Sequence, residues 1–256
     1  MSEFAKPNLE NALKWYDIME IDLPSFPRKR QSSIEKLDPR LGKDDNRSVD
    51  DAKKNNDNTE SRILANKAST IEELRDFVMN FNGCELKNTA TNTVFADGIS
   101  SSKIMLIGEA PGVSEDEQGI PFCGQSGQLL DNMMQTIDLS RKENIYISNT
   151  IFWRPPANRR PTEAEIEICR PFVEKHIALV KPKLLVLVGA TALTSLLGDH
   201  LQISRIRQEY YQYTNQYLSE PITTTAIFHP AYLLRQPFQK KATWYDLLKI
   251  QQFLQK

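Results

Sequence analysis

The sequence predicts an α/β domain, a parallel sheet covered by helices on both faces. Two observations carry this. Four short apolar runs, 103–108 (KIMLIG), 144–149 (NIYISN), 183–189 (KLLVLVG) and 223–228 (TTTAIF), have the length and composition of buried strands. Longer segments of helical periodicity, 125–138, 162–180 and 190–198, separate them, and a last helix runs near 240–254. Strands and helices that alternate in this way bury a sheet on both sides.

Taken in order, residues 1–42 form an N-terminal extension in which Leu9–Met19 makes a short amphipathic helix able to dock on the main domain. A polar linker follows over 43–68. Its stretch KDDNRSVDDAKKNNDNTESR (43–62) has only Val49 and Ala52 as apolar side chains, too few to offset the entropy of ordering it. The domain proper spans 69–256, opening with a helix over Ile71–Phe81 that Ser69 or Thr70 can cap. Thr162 with Glu165 is a capping box that starts the 162–180 helix. No internal repeat is present.

Composition excludes several classes. There are 32 Lys+Arg against 33 Asp+Glu, a net charge of −1, so the chain is not a globally basic nucleic-acid binder. No apolar run approaches the roughly 18–20 residues of a membrane span, and the N-terminus has no h-region of a signal peptide. Three cysteines without such a signal point to a reducing, intracellular compartment. The neutral total hides a split: residues 71–148 carry a net −7 and residues 149–256 a net +6. Basic residues of the last block cluster at Arg154/Arg159/Arg160, Arg205/Arg207 and Arg235/Lys240/Lys241. On one face they would suit a polyanion. On charge alone, a solvated surface balancing the acidic half is the plainer reading.

Ligands of such sheets bind beyond the carboxyl ends of the strands, so the segments that follow the apolar runs are the ones to inspect. After Gly108 come Glu109, Ala110, Pro111 and Gly112, then Glu115 and the Gly/Pro-bounded Phe122 and Cys123. This is a tight turn that lets a ligand approach the backbone, flanked by two carboxylates. It matches neither a phosphate loop nor a dinucleotide fingerprint. Asn149 ends the second run. It offers a donor and an acceptor side by side, the pattern that reads an amide-like base edge, although a turn cap is an equal alternative. Phe152 to Thr162 form a stiff cationic loop suited to phosphate contacts. His229 precedes Pro230 after the fourth run. A lone His there is more often structural, but its strand-end position, opposite Glu109 and Asn149, favours a functional role. His176, within a helix, and His200, after one, read as structural or exposed.

Three segments together resemble family 4 uracil-DNA glycosylases: GEAPGVSEDEQGIPFCGQSGQLLD, YISNTIFWRPPANRRPT with EIEICRPF, and FHPAYLLRQP followed by KKATWYDLL. The resemblance runs from about Thr70 to the C-terminus. Trp153 before RPP and VFADG at 94–98 look like the alphaproteobacterial form. The resemblance implies a three-layer α/β/α fold with a central four-stranded parallel sheet. It also implies a monomeric enzyme of the bacterial cytoplasm, with no membrane partner, that hydrolyses the N-glycosidic bond of deoxyuridine in single- or double-stranded DNA. The abasic site it leaves would pass to downstream repair enzymes. Carried over to this chain, Phe122 stacks on the flipped uracil, Asn149 reads its O4 and N3–H edge, and His229 stabilises charge developing at O2. Glu109 positions the water, Glu115 crowds the place of a thymine methyl, and Gly108 and Ala110 complete the pocket wall. Where some related families carry a water-activating Asp or Asn, this chain has Ala110. Leu233 or Leu234 would wedge into the emptied stack, with core packing an equal alternative for both. Arg154, Arg159, Arg160, Arg235 and Lys240 would hold phosphates.

The same resemblance implies a four-cysteine iron–sulfur cluster, but this chain departs from it. Cys84 and Cys169 stand at two ligand positions, while Phe81 and Trp153 occupy the other two. Four thiolates cannot be assembled from these, so the expectation is that no cluster forms and no other cofactor or metal is used. The rival reading is a catalytically inactive DNA-binding or scaffolding member of the fold. A second rival is an enzyme of the same class acting on other bases, such as hypoxanthine.

Overall fold

The computed structural model describes residues 9–18 and 60–255. Helix α1 (Leu9–Ile18) comes first, followed by α2 over 60–67 and α3 (Ile71–Asn80). The sheet then alternates with helices: β1 (Ala96–Gly98), β2 (Ile104–Gly108), α4 (Val113–Gln118), α5 (Gln125–Gln135), β3 (Tyr146–Asn149), α6 (Glu163–Val180), β4 (Leu184–Val188) and α7 (Ala190–Leu197). The chain closes with α8 (Ile203–Ile206), β5 (Tyr211–Tyr213), β6 (Ile222–Ile227), α9 (Pro230–Arg235) and α10 (Lys240–Leu254). No helix among the described residues is long and apolar enough to cross a membrane.

Strand order is β1-β3-β2-β4-β6-β5. The four apolar runs make the central parallel strands, β3, β2, β4 and β6. The expected four-stranded sheet gains one short antiparallel strand at each edge, β1 against β3 and β5 against β6. Each edge strand has three residues, too few for a period-2 pattern to show in the sequence. Their pairing also caps edges that would otherwise stay open.

Successive residues of a strand point to opposite faces, and the two cores follow that rule. Met105, Ile107, Leu185 and Leu187 pack with residues of α2, α3, α6 and α7. Ile104, Leu106, Leu184 and Val186 pack with Trp15 of α1 and with residues of α5, α9 and α10. Trp15 is buried and stacks on Trp244 of α10, ring centroids 5.1 Å apart, so the N-terminal helix docks on the domain.

The linker boundary needs correction. Residues 60–67 are helical, not a disordered linker, and Ser61, Ala65 and Ala68 are buried. Small side chains at this helical spacing let α2 lie close to the core, which a count of large apolar residues misses. The rest of the linker, 43–59, lies outside the described residues. Between the two candidate caps Thr70 is the one used: its Oγ1 accepts the Glu73 N–H at 3.1 Å, and Ser69 N–H reaches back to the Glu73 carboxylate at 2.7 Å. The capping box at Thr162 and Glu165 forms as expected.

Candidate active site

A cleft of about 920 Å³ opens at the carboxyl ends of the parallel strands. Glu109 follows β2, Asn149 ends β3, Gly189 follows β4 and His229 follows β6, and all four line it. Ala110 joins them from the loop after β2, Glu115 from α4 and Phe122 from the loop between α4 and α5. The topology therefore brings together residues up to 120 positions apart in the chain.

Phe122 is held in an unusual backbone conformation, with φ at +51°. A phenylalanine rarely adopts this region, so its surroundings must impose it. Two charged side chains do so. The Glu115 carboxylate accepts three backbone N–H groups, from Gly112 (3.1 Å), Cys123 (2.9 Å) and Gly124 (2.8 Å). Arg141 donates to the carbonyls of Pro121 (3.0 Å) and Phe122 (2.8 Å) and is itself held by Asp97 and Asp131, each at 2.9 Å. Gly127 of α5 completes the fit: a Cβ there would lie 1.8 Å from the Phe122 carbonyl oxygen. Burial first, and the neighbouring Glu115 charge second, push the Cys123 thiol upward, so it stays protonated.

Asn149 is 2% exposed, and its Oδ1 has no hydrogen-bond partner. A buried acceptor left empty costs on the order of 1–3 kcal/mol, so this atom awaits a donor. It sits against the Phe122 ring: a Cβ on Gly108 would come within 2.5 Å of Oδ1 and 2.4 Å of the Phe122 Cζ. Gly108 thus lies behind the pocket wall and lets the amide and the ring meet. His229 stands on the other side, its ring centroid 5.7 Å from that of Phe122. Its Nδ1 accepts the Ala231 N–H at 3.1 Å, which leaves the proton of the neutral ring on Nε2. Burial pulls the His229 pKa below its ordinary value, with Glu109 pulling weakly the other way. The imidazole is thus a neutral N–H donor at neutral pH.

Thr191, at the start of α7, donates from Oγ1 to Glu109 Oε2 at 2.6 Å and fixes that carboxylate at the cleft. The sequence reading missed Thr191 and Arg141. Thr191 follows a strand-end glycine by two residues, a place the strand-end rule could have flagged. Arg141 lies in a connecting turn nineteen residues from Phe122, and nothing local marks it.

Of the cationic candidates, Arg159, Arg160 and Arg235 line the cleft. Arg159 is tied to Glu165 by a bidentate pair, and Arg154 turns to Asn158 Oδ1 at 2.7 Å. Lys240 is half-buried at the start of α10. Arg207 also lines the cleft, held by Asp246 at 2.7 Å and lying over the Phe228 ring. The three basic clusters therefore contribute to one cleft. The leucines are corrected: Leu233 is 0% exposed and belongs to the core around Trp244 and Leu247, so it cannot serve as a wedge. Leu234 is partly buried against the same core. The short helix that His229 caps must pack its own apolar face, and that demand takes Leu233 wholly and Leu234 in part.

At the four expected cluster positions, Cys84, Cys169, Phe81 and Trp153 are all buried. Phe81 lies 6.3 Å from Trp153 and 5.1 Å, edge-on, from Phe172. Trp153 Nε1 donates to Thr93 Oγ1 at 2.9 Å. The Cys169 thiol is hydrogen-bonded with Cys84, and that bond together with burial pushes its pKa well up. Two buried thiols among aromatic rings do not fit a four-thiolate cluster. Among the described residues no group of three or more His, Cys, Asp or Glu side chains is placed to hold a metal ion.

The strand ends of the doubly covered sheet thus bring an amide, an imidazole and a carboxylate to one cleft, with a phenyl ring beside them and cationic side chains along its lining. The chain belongs to the uracil-DNA glycosylase superfamily, whose family model matches residues 95–248. It is 34% identical over 187 residues to the Type-4 uracil-DNA glycosylase of Archaeoglobus fulgidus, covering 70% of this chain and 92% of that protein. It is 32% identical to the Type-4 enzyme of Sulfurisphaera tokodaii, covering 72% and 84%. The Type-4 enzyme of Thermotoga maritima is also 32% identical, covering 73% and 98%.

Proposed function

We propose that this chain is a uracil-DNA glycosylase that hydrolyses the N-glycosidic bond of deoxyuridine in DNA, releasing uracil and leaving an abasic site. The observation that carries the reading is the buried, unpartnered Asn149 Oδ1 beside the Phe122 ring and opposite His229. Uracil supplies what the pocket lacks: a flat face for Phe122, an N3–H for Oδ1 and an O2 for the His229 Nε2–H.

Chemistry on a base in duplex DNA requires that it leave the stack, which costs a few kcal/mol. Arg160 and Arg235 at the rim hold the backbone phosphates while this happens. Once the bond to N1 stretches, negative charge moves onto uracil and positive charge onto the sugar. The neutral His229 donor stabilises the first at O2, and the Glu109 carboxylate, fixed by Thr191, favours the second and orients the attacking water. Bond cleavage sends the electron pair to N1, water adds at C1′, and the proton it loses passes by way of the Glu109 carboxylate to solvent, from which the uracil anion takes one up and leaves as neutral uracil. Glu115, rigid because three N–H groups hold it, forms the wall against a 5-methyl group. No step passes through a metal. In this proposal Phe81 and Trp153 fill two of the four cluster positions; iron and sulfide analysis of the purified protein is the test, neither being expected above background, and stoichiometric iron and sulfide would overturn this part of the proposal. The protein acts as a monomer in a bacterial cytoplasm, a reducing compartment in keeping with three unbridged cysteines.

The test is direct. A labelled oligonucleotide with one deoxyuridine is incubated with the protein, treated with alkali and resolved by length. Cleavage at the uracil position is expected, and uracil itself is released. Absence of cleavage at U:G, U:A and single-stranded U would establish the scaffolding alternative instead.

A further inference from the structure

We propose that Phe238 is the side chain that fills the base stack when uracil is extruded, an inference that rests on the glycosylase reading above. A base that swings out leaves its neighbours unstacked, and proteins that unstack DNA insert an apolar wedge into the step. Neither leucine after His229 is placed to do this, since Leu233 has no exposed surface and Leu234 is packed against the α10 core. Phe238, four residues further on, is 71% exposed, the most exposed large apolar side chain among the described residues.

Its position suits the role. Phe238 lies in a short turn, Pro237–Gln239, between Arg235 and Gln239, and both of these line the cleft. The turn is firm at both ends. Gln236 N–H is bonded to the Tyr232 carbonyl at 2.8 Å, and Gln239 N–H to the Gln236 carbonyl at 3.0 Å. Pro237 restricts the backbone directly ahead of the ring. Helix α10 follows at once, anchored by the buried Trp244 and Leu247. A backbone so fixed loses little freedom on binding, and among the described residues the ring belongs to neither core. Arg235 before it and the exposed Lys241 behind it supply cations for the phosphates on either side of the emptied step. An aromatic face also suits any neighbouring base, because stacking is tolerant of sequence.

A wedge is needed where a stack must be propped open, so its loss is felt in duplex DNA and not in single strands. The experiment measures kcat/KM for uracil release from a U:A duplex and from the same strand alone, for the wild-type protein, Phe238→Ala and Phe238→Leu. Loss of one stacking contact lowers the duplex value for Phe238→Ala by on the order of tenfold. The single-strand value stays within about twofold, so the duplex-to-single-strand ratio falls, and Phe238→Leu recovers part of it. In parallel, 2-aminopurine opposite the uracil brightens when the wild-type protein binds the duplex, and this rise is reduced for Phe238→Ala. An unchanged ratio, or equal loss on both substrates, overturns the assignment while leaving the glycosylase reading intact. Failure of the wild-type protein to release uracil from either substrate overturns that reading and the wedge with it.

Discussion

Two aromatic sites in this domain are held by opposite means. Phe122, on the cleft, sits at positive φ and is fixed by directional bonds: three N–H groups to Glu115, two carbonyls to Arg141, and Asp97 and Asp131 behind the guanidinium. Phe81 and Trp153, where the resembling family has metal ligands, are held mainly by burial among Phe172 and Phe152, with polar contacts at the indole nitrogen and at the Phe81 carbonyl, which accepts from Lys87 Nζ at 2.8 Å. The difference follows from what each site must do. A ring that receives a ligand must keep one orientation against water and strain, which apolar contact does not enforce. Side chains of a packed core only have to fill the space between segments, which close-packed carbon does.

The largest expected effect lies on the packed side. Trp153→Ala or Phe81→Ala removes a fully buried aromatic side chain and costs about 3–5 kcal/mol of stability. Urea unfolding of each variant, compared with wild type, reads this directly. Activity per folded molecule should stay near wild type, because neither ring touches the cleft. A large fall in kcat without loss of stability would show that the two sites are coupled. Asn149→Ala and His229→Ala are expected to do the reverse. Each removes one hydrogen-bonding group from the developing charge and lowers uracil release on the order of 10²–10³-fold. Neither should lose stability as the packed-side variants do, and Asn149→Ala removes an unpartnered buried acceptor, so its midpoint should not fall; near-wild-type rates would dismiss the roles given to them.

How much of this was readable in advance divides along the same line. The four central strands and their order of function were legible, because continuous apolar runs need no partner to be recognised: Ile104–Gly108 and Leu184–Val188 announce their own burial. Strand-end residues could then be named from topology alone, and Glu109, Asn149 and His229 do meet at one cleft. Directional contacts were not legible. Arg141 reaches Phe122 across nineteen residues and Thr191 reaches Glu109 across 82, so no local window holds both partners. Leu233 stays open between wedge and core in the sequence for a related reason: one side chain on a short helix can face DNA or core, and only packing decides for the core. Helix α2 and the two edge strands were missed because small residues and three-residue strands carry no periodic signal.

Arg141→Met separates the contribution of the bonds from that of burial. It keeps much of the side-chain volume but strips two carbonyls, Asp97 and Asp131 of their donor. The carboxylates are partly exposed, so water takes over some of the loss, and the cost to stability is about 1–3 kcal/mol. The informative readout is kinetic. With the Phe122 loop released, KM for uracil-containing DNA rises and kcat falls together, and Arg141→Lys recovers only part, since an ammonium cannot reproduce the planar fork. If Arg141→Met binds and turns over DNA as wild type does, the positive-φ conformation of Phe122 is maintained by something other than this network.

The smallest effect contrasts two histidines, one at each site. His176 is fully buried on the packed side, stacked on Phe95 and 3.0 Å from the Tyr146 hydroxyl, and burial pushes its pKa down to about 3. In the unfolded chain it titrates near 6.5, so between these values the unfolded state binds the extra proton. Its contribution to stability is therefore complete above about pH 6.5 and is lost as pH falls toward 3, with a slope of at most about 1.4 kcal/mol per pH unit. His229 is shifted in the same direction by burial and adds a loss of the same sign. At the cleft, however, protonation has a second consequence. A proton on Nδ1 would face the Ala231 N–H that this atom now accepts, so the imidazolium has to turn out of its donor position. Acidification should thus lower kcat through His229 while it lowers stability through His176, two effects that substitution can separate. His176→Gln should flatten the stability profile between pH 4 and 6.5 while leaving the acid limb of kcat in place. If His176→Gln shifts the kcat limb instead, the histidine behind the sheet and the histidine at the cleft titrate as one system, and the separation between packed and directional sites fails at this point.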